Sequence, residues 1–192
     1  KLFVPAPPVN GISINMFPRF ELTNSDLRIY NGGQGSNNNQ AARLIVIQAP
    51  NITLSANVEI IGPPADLLFI THSNRTNVIN CQQCGFSNVG RVTFAAGTGA
   101  KFASAIQATG SIGDLVIKST GSITVNGLLA PGLQSLELIA DRVHTSGTLD
   151  LNLRANVHPE GGYSIHPQGN KVVGSGGMGL YAGVMTIEYE SL

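Results

Sequence analysis

The sequence predicts an all-β fold arranged as a parallel β-helix, and three observations lead there. First, helical periodicity is missing. Glu and Lys are scarce, and no window repeats apolar residues at i, i+3, i+4 and i+7 over three turns. Second, short β-branched runs bounded by Gly, Asn, Pro or Ser take its place, and several are continuously apolar. That pattern suits strands buried on both faces of a parallel sheet. Parallel strands need crossovers, usually helices, and a solenoid whose strands pair with their counterparts one coil further on removes that need. Third, an internal repeat is present.

In chain order, Leu44-Ile45-Val46-Ile47 opens the apolar runs, with Ile52-Thr53-Leu54-Ser55-Ala56 as its companion after a polar corner. Val58-Glu59-Ile60-Ile61 and Leu67-Leu68-Phe69-Ile70 follow. Further on, Leu115-Val116-Ile117 with Ile123-Thr124-Val125-Asn126-Gly127-Leu128 aligns with Leu136-Glu137-Leu138 and Val143-His144-Thr145-Ser146-Gly147-Thr148. Ile123 and Val143 are 20 apart, Gly127 and Gly147 also 20, and Leu115 and Leu136 21. A period near 20 fits one turn of a small solenoid, whose coils must stack to bury their inner faces. Inward positions are then apolar, corners Gly, Asn or Ser, and outer faces rich in Thr, Ser and Gln. A β-sandwich or jelly roll is the competing architecture. Residues 155–178 break the pattern and read as an excursion or hairpin. Residues 31–40 (Asn-Gly-Gly-Gln-Gly-Ser-Asn-Asn-Asn-Gln) read as an exposed loop with too little apolar content to pack.

Composition narrows the function. Of 192 residues 11% are charged, 11 basic against 11 acidic, where soluble domains average about 25%. Zero net charge removes the footprint of a nucleic-acid binder and of a polybasic membrane-surface protein. A hydrophobic content of 42% is too high for a disordered chain, and no apolar run nears the ~20 residues of a membrane-spanning helix. The length suits one domain. Lys1-Leu2-Phe3-Val4-Pro5 does not read as a signal peptide. A cytosolic chain and a mature or trimmed secreted one both fit, and low charge with much Gly, Asn, Ser and Thr favours the second.

The two cysteines stand in Cys81-Gln82-Gln83-Cys84. Zinc needs four ligands, but there is no second cysteine pair and the histidines at 72, 144, 158 and 166 are scattered. A thioredoxin-like motif opens a helix, yet Gly85-Phe86-Ser87-Asn88 follows. A local disulfide pinning a turn in an oxidising compartment is the favoured reading. Signals for an enzyme are weak. Asp114 and Glu137 read as a solvated edge, Asp141-Arg142 as an exposed ion pair, and His158-Pro159-Glu160 with His166-Pro167 as loop residues or a weak metal site. No nucleophile elbow or phosphate loop is present. Asn51-Ile52-Thr53 and Asn74-Arg75-Thr76 match glycosylation acceptors, which matter only in a eukaryotic secretory route.

Asn77-Val78-Ile79-Asn80-Cys81-Gln82-Gln83-Cys84-Gly85-Phe86-Ser87-Asn88, followed by Arg91-Val92-Thr93-Phe94-Ala95-Ala96-Gly97, resembles the amino-terminal secretion domain of two-partner secretion exoproteins. This is the filamentous haemagglutinin family, which includes adhesins, haemolysins and contact-dependent growth inhibition toxins. The family pattern there is Asn-Pro-Asn-Gly-Ile-x-Cys-x-x-Cys-Gly-Phe-x-Asn. Gly11-Ile12-Ser13-Ile14-Asn15-Met16-Phe17-Pro18-Arg19-Phe20-Glu21-Leu22 is similar to the family's opening, and Tyr30-Asn31-Gly32 to its Asn-Asn step. Leu54 to Ile60 with Ala65 to Ile70 resembles the two strands before the motif, and Met178 to Ile187 its Met-Tyr-Ala-Gly-x-Ile strand. Two departures stand out: Arg75-Thr76-Asn77-Val78 replaces Asn-Pro-Asn-Gly, and Ser36-Asn37-Asn38-Asn39 replaces an earlier Asn-Pro-Asn-Leu.

The resemblance implies a right-handed single-stranded parallel β-helix with an amino-terminal cap and extra-helical β-hairpins. Residues 1–192 would form one such domain, the amino-terminal fragment of a much larger exoprotein. It implies no enzyme and no cofactor. Transit through the periplasm of a Gram-negative bacterium to the cell surface would depend on a partner outer-membrane transporter with periplasmic POTRA domains. The parent would be an adhesin or a contact-dependent growth inhibition toxin, and the domain a monomer without nucleic-acid or small-molecule partners. The motif residues it points to for recognition are Asn15, Asn77, Ile79, Cys81, Cys84, Gly85, Phe86 and Asn88. Two other functions remain open: an adhesive module binding glycans or host surfaces, and a polysaccharide-degrading β-helix.

Overall fold

The computed structural model describes residues 2–8, 11–33, 40–71, 77–98, 115–151, 163–167, 177–181 and 184–189, with the backbone alone at 2, 98, 115–119 and from 163 onward. Eighteen strands appear there: β1 Leu2–Phe3, β2 Ile12–Met16, β3 Phe20–Thr23, β4 Leu27–Tyr30, β5 Leu44–Ala49, β6 Asn51–Ser55, β7 Asn57–Ile61, β8 Ala65–Thr71, β9 Val78–Ser87, β10 Val89–Ala95, β11 Gly97–Thr98, β12 Leu115–Ser119, β13 Ser122–Leu129, β14 Ser135–Ile139, β15 Arg142–Asp150, β16 Tyr163–Pro167, β17 Gly177–Tyr181 and β18 Val184–Tyr189. No helix occurs among the described residues, so none is long and apolar enough to cross a membrane.

Two parallel sheets face each other across one core, as a β-helix requires. The first runs β1-β4-β7-β9-β13-β15, with β3 and β6 joining at β9. The second runs β17-β14-β10-β8-β5-β2. Registers stack like residues on like. In the first sheet Phe20, Ile52, Ile79, Ile123 and Val143 form one column, and in the second Ile45, Leu67, Val92 and Leu136 form another. Each strand therefore buries its inward residues against the facing sheet and the coils above and below it. All six described phenylalanines join in one chain of ring contacts, Phe3–Phe17–Phe20–Phe69 and on to Phe86 and Phe94, with centroids 5.2 to 6.3 Å apart.

At the amino-terminal end residues 4–8 cross the first coil. The Ala6 amide donates to Asn15 Oδ1 at 2.7 Å, Ser13 Oγ donates to the Ala6 carbonyl at 2.7 Å, and Asn15 Nδ2 donates to Ser13 Oγ at 3.0 Å. Ser13 and Asn15 share register with the core residues Ile45 and Ile47, so polar side chains close the end of an otherwise apolar column.

The structure corrects the sequence reading in four places. Leu115–Ile117 does not stack on Leu136. It lies in β12, antiparallel to β11 and β18 in a separate sheet ordered β11-β12-β18-β16, while Leu136 pairs with Val92 and Met178. An apolar run reads alike in a coil and in an excursion, and here an excursion lengthens the coil: Ile79 pairs with Ile123, 44 residues on, whereas Ile123 pairs with Val143, 20 on. Met178 to Ile187 is two strands in two sheets, β17 and β18. The continuously apolar runs are buried on both faces, as their pattern predicts, and it is the expectation of Thr, Ser and Gln on the outer faces that fails in the second sheet: Val46, Leu68, Ile70 and Ile139 are fully buried yet lie outside the core cluster. Asn31 is not part of an exposed loop. It is 1% exposed, donates Nδ2 to the Ala42 and Pro63 carbonyls, and accepts the Ala42 amide on Oδ1.

Candidate functional site

The cysteine motif fills β9, the strand on which two lower strands converge. Its first half pairs with β6 and its second with β7. The shift between them needs a bend, which falls at Gln83 with φ 50°. The bend repeats at Gly127 (φ 75°) and Gly147 (φ 71°) in the next two coils. A side chain at Gly147 would lie 2.8 Å from Asn126 Oδ1 and 2.9 Å from the Gly127 nitrogen, so glycine is required there. Gln83 has no such licence, and left-handed backbone at a non-glycine residue costs about 1–3 kcal/mol. Cys81 and Cys84 bracket it and are joined in a disulfide with Cα atoms 5.4 Å apart.

A four-residue loop of this kind constrains the unfolded chain by about 2 kcal/mol in the loop-entropy treatment. The Cys81→Ala/Cys84→Ala variant is expected to lose at least that much, read from the urea midpoint. Adding Gln83→Gly should recover part of the loss, because the relieved backbone exceeds the roughly 0.5–1 kcal/mol entropic penalty of glycine. A further loss on adding glycine would refute this account of the bend.

Most motif residues point inward. Ile79 and Cys81 are fully buried, and Cys84, Phe86 and Asn77 are at most 4% exposed. The Asn77 carbonyl accepts the Ser122 amide at 2.9 Å, tying β9 to β13. A Cβ on Gly85 would overlap Asn57 Oδ1 and sit 3.0 Å from the Leu129 carbonyl, so glycine is dictated by the neighbouring coils. Asn88 is exposed and takes φ 59°, the second corner, where its Nδ2 clasps the Ile60 and Gly62 carbonyls of the coil below at 2.9 Å each. Asn15 is the buried clamp of the amino-terminal segment. These residues hold coils together, and the exposed members of the motif are Gln82, Gln83, Ser87 and Asn88.

Sequence reading missed two arrangements. On the outer face of the second sheet, Glu137 is 5% exposed rather than a solvated edge. It accepts Arg91 Nε at 2.8 Å and Ser135 Oγ at 3.1 Å on Oε1, and Thr93 Oγ1 at 2.8 Å on Oε2. Arg91 and Thr93 come from β10, one coil away, so no local pattern announces the ion pair. The second is a groove of about 400 Å³ on the outside of the bend, lined by Asn57, Gln83, Asn126, Leu129, Thr148 and Asp150 with Gly127 and Gly147 between. It joins four coils, again beyond the reach of local spacing.

Among the described residues no three of His, Cys, Asp and Glu come together as a metal site. His144 is exposed on β15, and the backbone alone is described at His166. His72, Asn74, Asp114, His158 and Glu160 lie outside the described residues. Asp141 and Arg142 are exposed, and the described ion pairs are Arg19–Glu21, Arg28–Glu59 and Arg91–Glu137.

No family model and no curated protein matches the sequence. Solved structures do. The crystal structure of a filamentous haemagglutinin secretion domain matches with a TM-score of 0.57 at 20% identity over 76% of this chain. The chain spans about half, 52%, of that structure. At that identity the likeness speaks to architecture: this chain is an all-β parallel β-helix with the fold of the filamentous haemagglutinin secretion domain.

Proposed function

We propose that the chain is the secretion domain of a larger bacterial exoprotein. It is recognised in the periplasm by a partner outer-membrane transporter carrying POTRA domains, and it acts without catalysis. The observation that carries this reading is the fold shared with a filamentous haemagglutinin secretion domain, together with the Cys-x-x-Cys-Gly-Phe-x-Asn pattern at residues 81–88. The parent would be a surface adhesin or a contact-dependent growth inhibition toxin.

Strand addition supplies the recognition. Zero net charge offers no electrostatic steering, so backbone pairing is the stronger attraction. Among the described residues β15 has a partner strand on one side only, and its side chains are mostly exposed. Outside the cell the same edge would receive the next coil of the parent.

Co-expression with its transporter in a Gram-negative host tests the proposal. The chain should reach the medium only when the transporter is present, and its deletion from the parent exoprotein should abolish secretion. Equal export without the transporter, or normal secretion of the deleted parent, would overturn it.

A further inference from the structure

We propose that the groove on the outside of the bend binds a short neutral glycan, a property separate from secretion. Its volume of about 400 Å³ lies within the range of small-molecule sites, about 300–1,000 Å³. Asn57 comes from β7, Gln83 from β9, Asn126 and Leu129 from β13, and Thr148 and Asp150 from β15. Four strands about 4.8 Å apart make a cleft running along the stack, suited to an elongated ligand.

The lining chemistry selects the ligand class. All six of these side chains are exposed. Three are amides, each able to donate and accept, which matches hydroxyls that do both. Asn126 donates Nδ2 to Gln82 Oε1 at 3.2 Å, which fixes its plane and leaves Oδ1 to accept. The Asp150 carboxylate adds a charged acceptor, the stronger kind of hydrogen bond to a hydroxyl. Leu129, 54% exposed, offers an apolar surface for the C–H face of a sugar ring. Among the described residues no Lys, Arg or His lines the groove, so an anionic ligand would meet no countercharge from them.

Backbone geometry argues against a peptide strand in the same place. β7, β9 and β13 carry ladders on both sides, so of the four lining strands only β15 has an edge to offer, and that edge faces away from the other three. Recognition must come from the side chains. The floor is also fixed at Gly147, where a side chain would meet Asn126 Oδ1 at 2.8 Å and the Gly127 nitrogen at 2.9 Å.

The test titrates lactose, cellobiose and N,N′-diacetylchitobiose separately into the ¹⁵N-labelled chain. At least one should give saturable shift changes centred on Gln83, Asn126, Leu129 and Thr148. Asp150→Ala and Asn126→Ala, both at exposed positions, should each weaken that binding about tenfold, as expected for one lost strong hydrogen bond, with an unchanged urea midpoint. Met16→Ala, at an exposed position on β2 at the end of the second sheet, should leave affinity unaltered. Absence of saturable shifts at about 10 mM of every sugar, some tenfold above a millimolar dissociation constant, would overturn the proposal. So would affinity that survives both groove variants, or a preference for sialylated lactose over lactose.

Discussion

Phe69→Ala is expected to destabilise the chain by about 3–5 kcal/mol, the usual range for emptying a buried phenylalanine site. Phe69 is fully buried and its ring lies 6.3 Å from Phe20, 5.9 Å from Phe86 and 5.4 Å from Phe94. It is the branch point where the aromatic chain from the amino-terminal end meets the motif coil. Collapse around the cavity is restricted, because Phe86 and Phe94 belong to β9 and β10, strands paired on both sides. Against a total stability of about 5–15 kcal/mol, the loss is about a fifth or more. Urea unfolding followed by circular dichroism checks it, with Phe69→Leu as the milder comparison. A loss below about 1 kcal/mol would mean the column repacks freely, contrary to this account.

Glu137→Ala is expected to cost a similar 3–5 kcal/mol, for an electrostatic reason. It leaves the Arg91 guanidinium, 3% exposed, buried without that carboxylate. The hydroxyls of Thr93 and Ser135 lose that carboxylate as well. Arg91→Met/Glu137→Leu removes both charges, and should cost far less than the single change, because a buried pair often contributes little more than an apolar replacement. The double-mutant cycle decides. With Arg91→Met and Glu137→Leu as its single variants, a coupling energy near zero would mean that the pair is energetically idle.

The columns that the sequence made legible are those where adjacent coils have equal length. Ile123 with Val143, and Gly127 with Gly147, are 20 apart because β13 and β15 are consecutive coils with no insertion between them. The glycines were readable because left-handed bends select glycine. Leu115 misled because β-branched runs satisfy a parallel coil and an antiparallel excursion equally, and only pairing distinguishes them. Burial of both faces was visible in Leu44–Ile47 and Leu67–Ile70, where no polar residue interrupts the run. Glu137 was not, since a charge is tolerated inside only through Arg91, 46 positions away. The groove was invisible for the same reason. Asn57, Gln83, Asn126 and Asp150 are ordinary polar residues until the coils bring them side by side.

The register columns carry one further consequence, in time rather than in energy. Ile52 must find Ile79 and Ile79 must find Ile123, 27 and 44 positions along; even the nearest coil partners lie 20 apart. Such non-local pairings close large loops before any contact rewards them, and domains built this way fold in milliseconds to seconds, not microseconds. Under the proposed role this lag is useful. A freshly exported chain stays extended and pairable while a transporter captures it, and it acquires its solenoid only once the stack has a formed end to grow from.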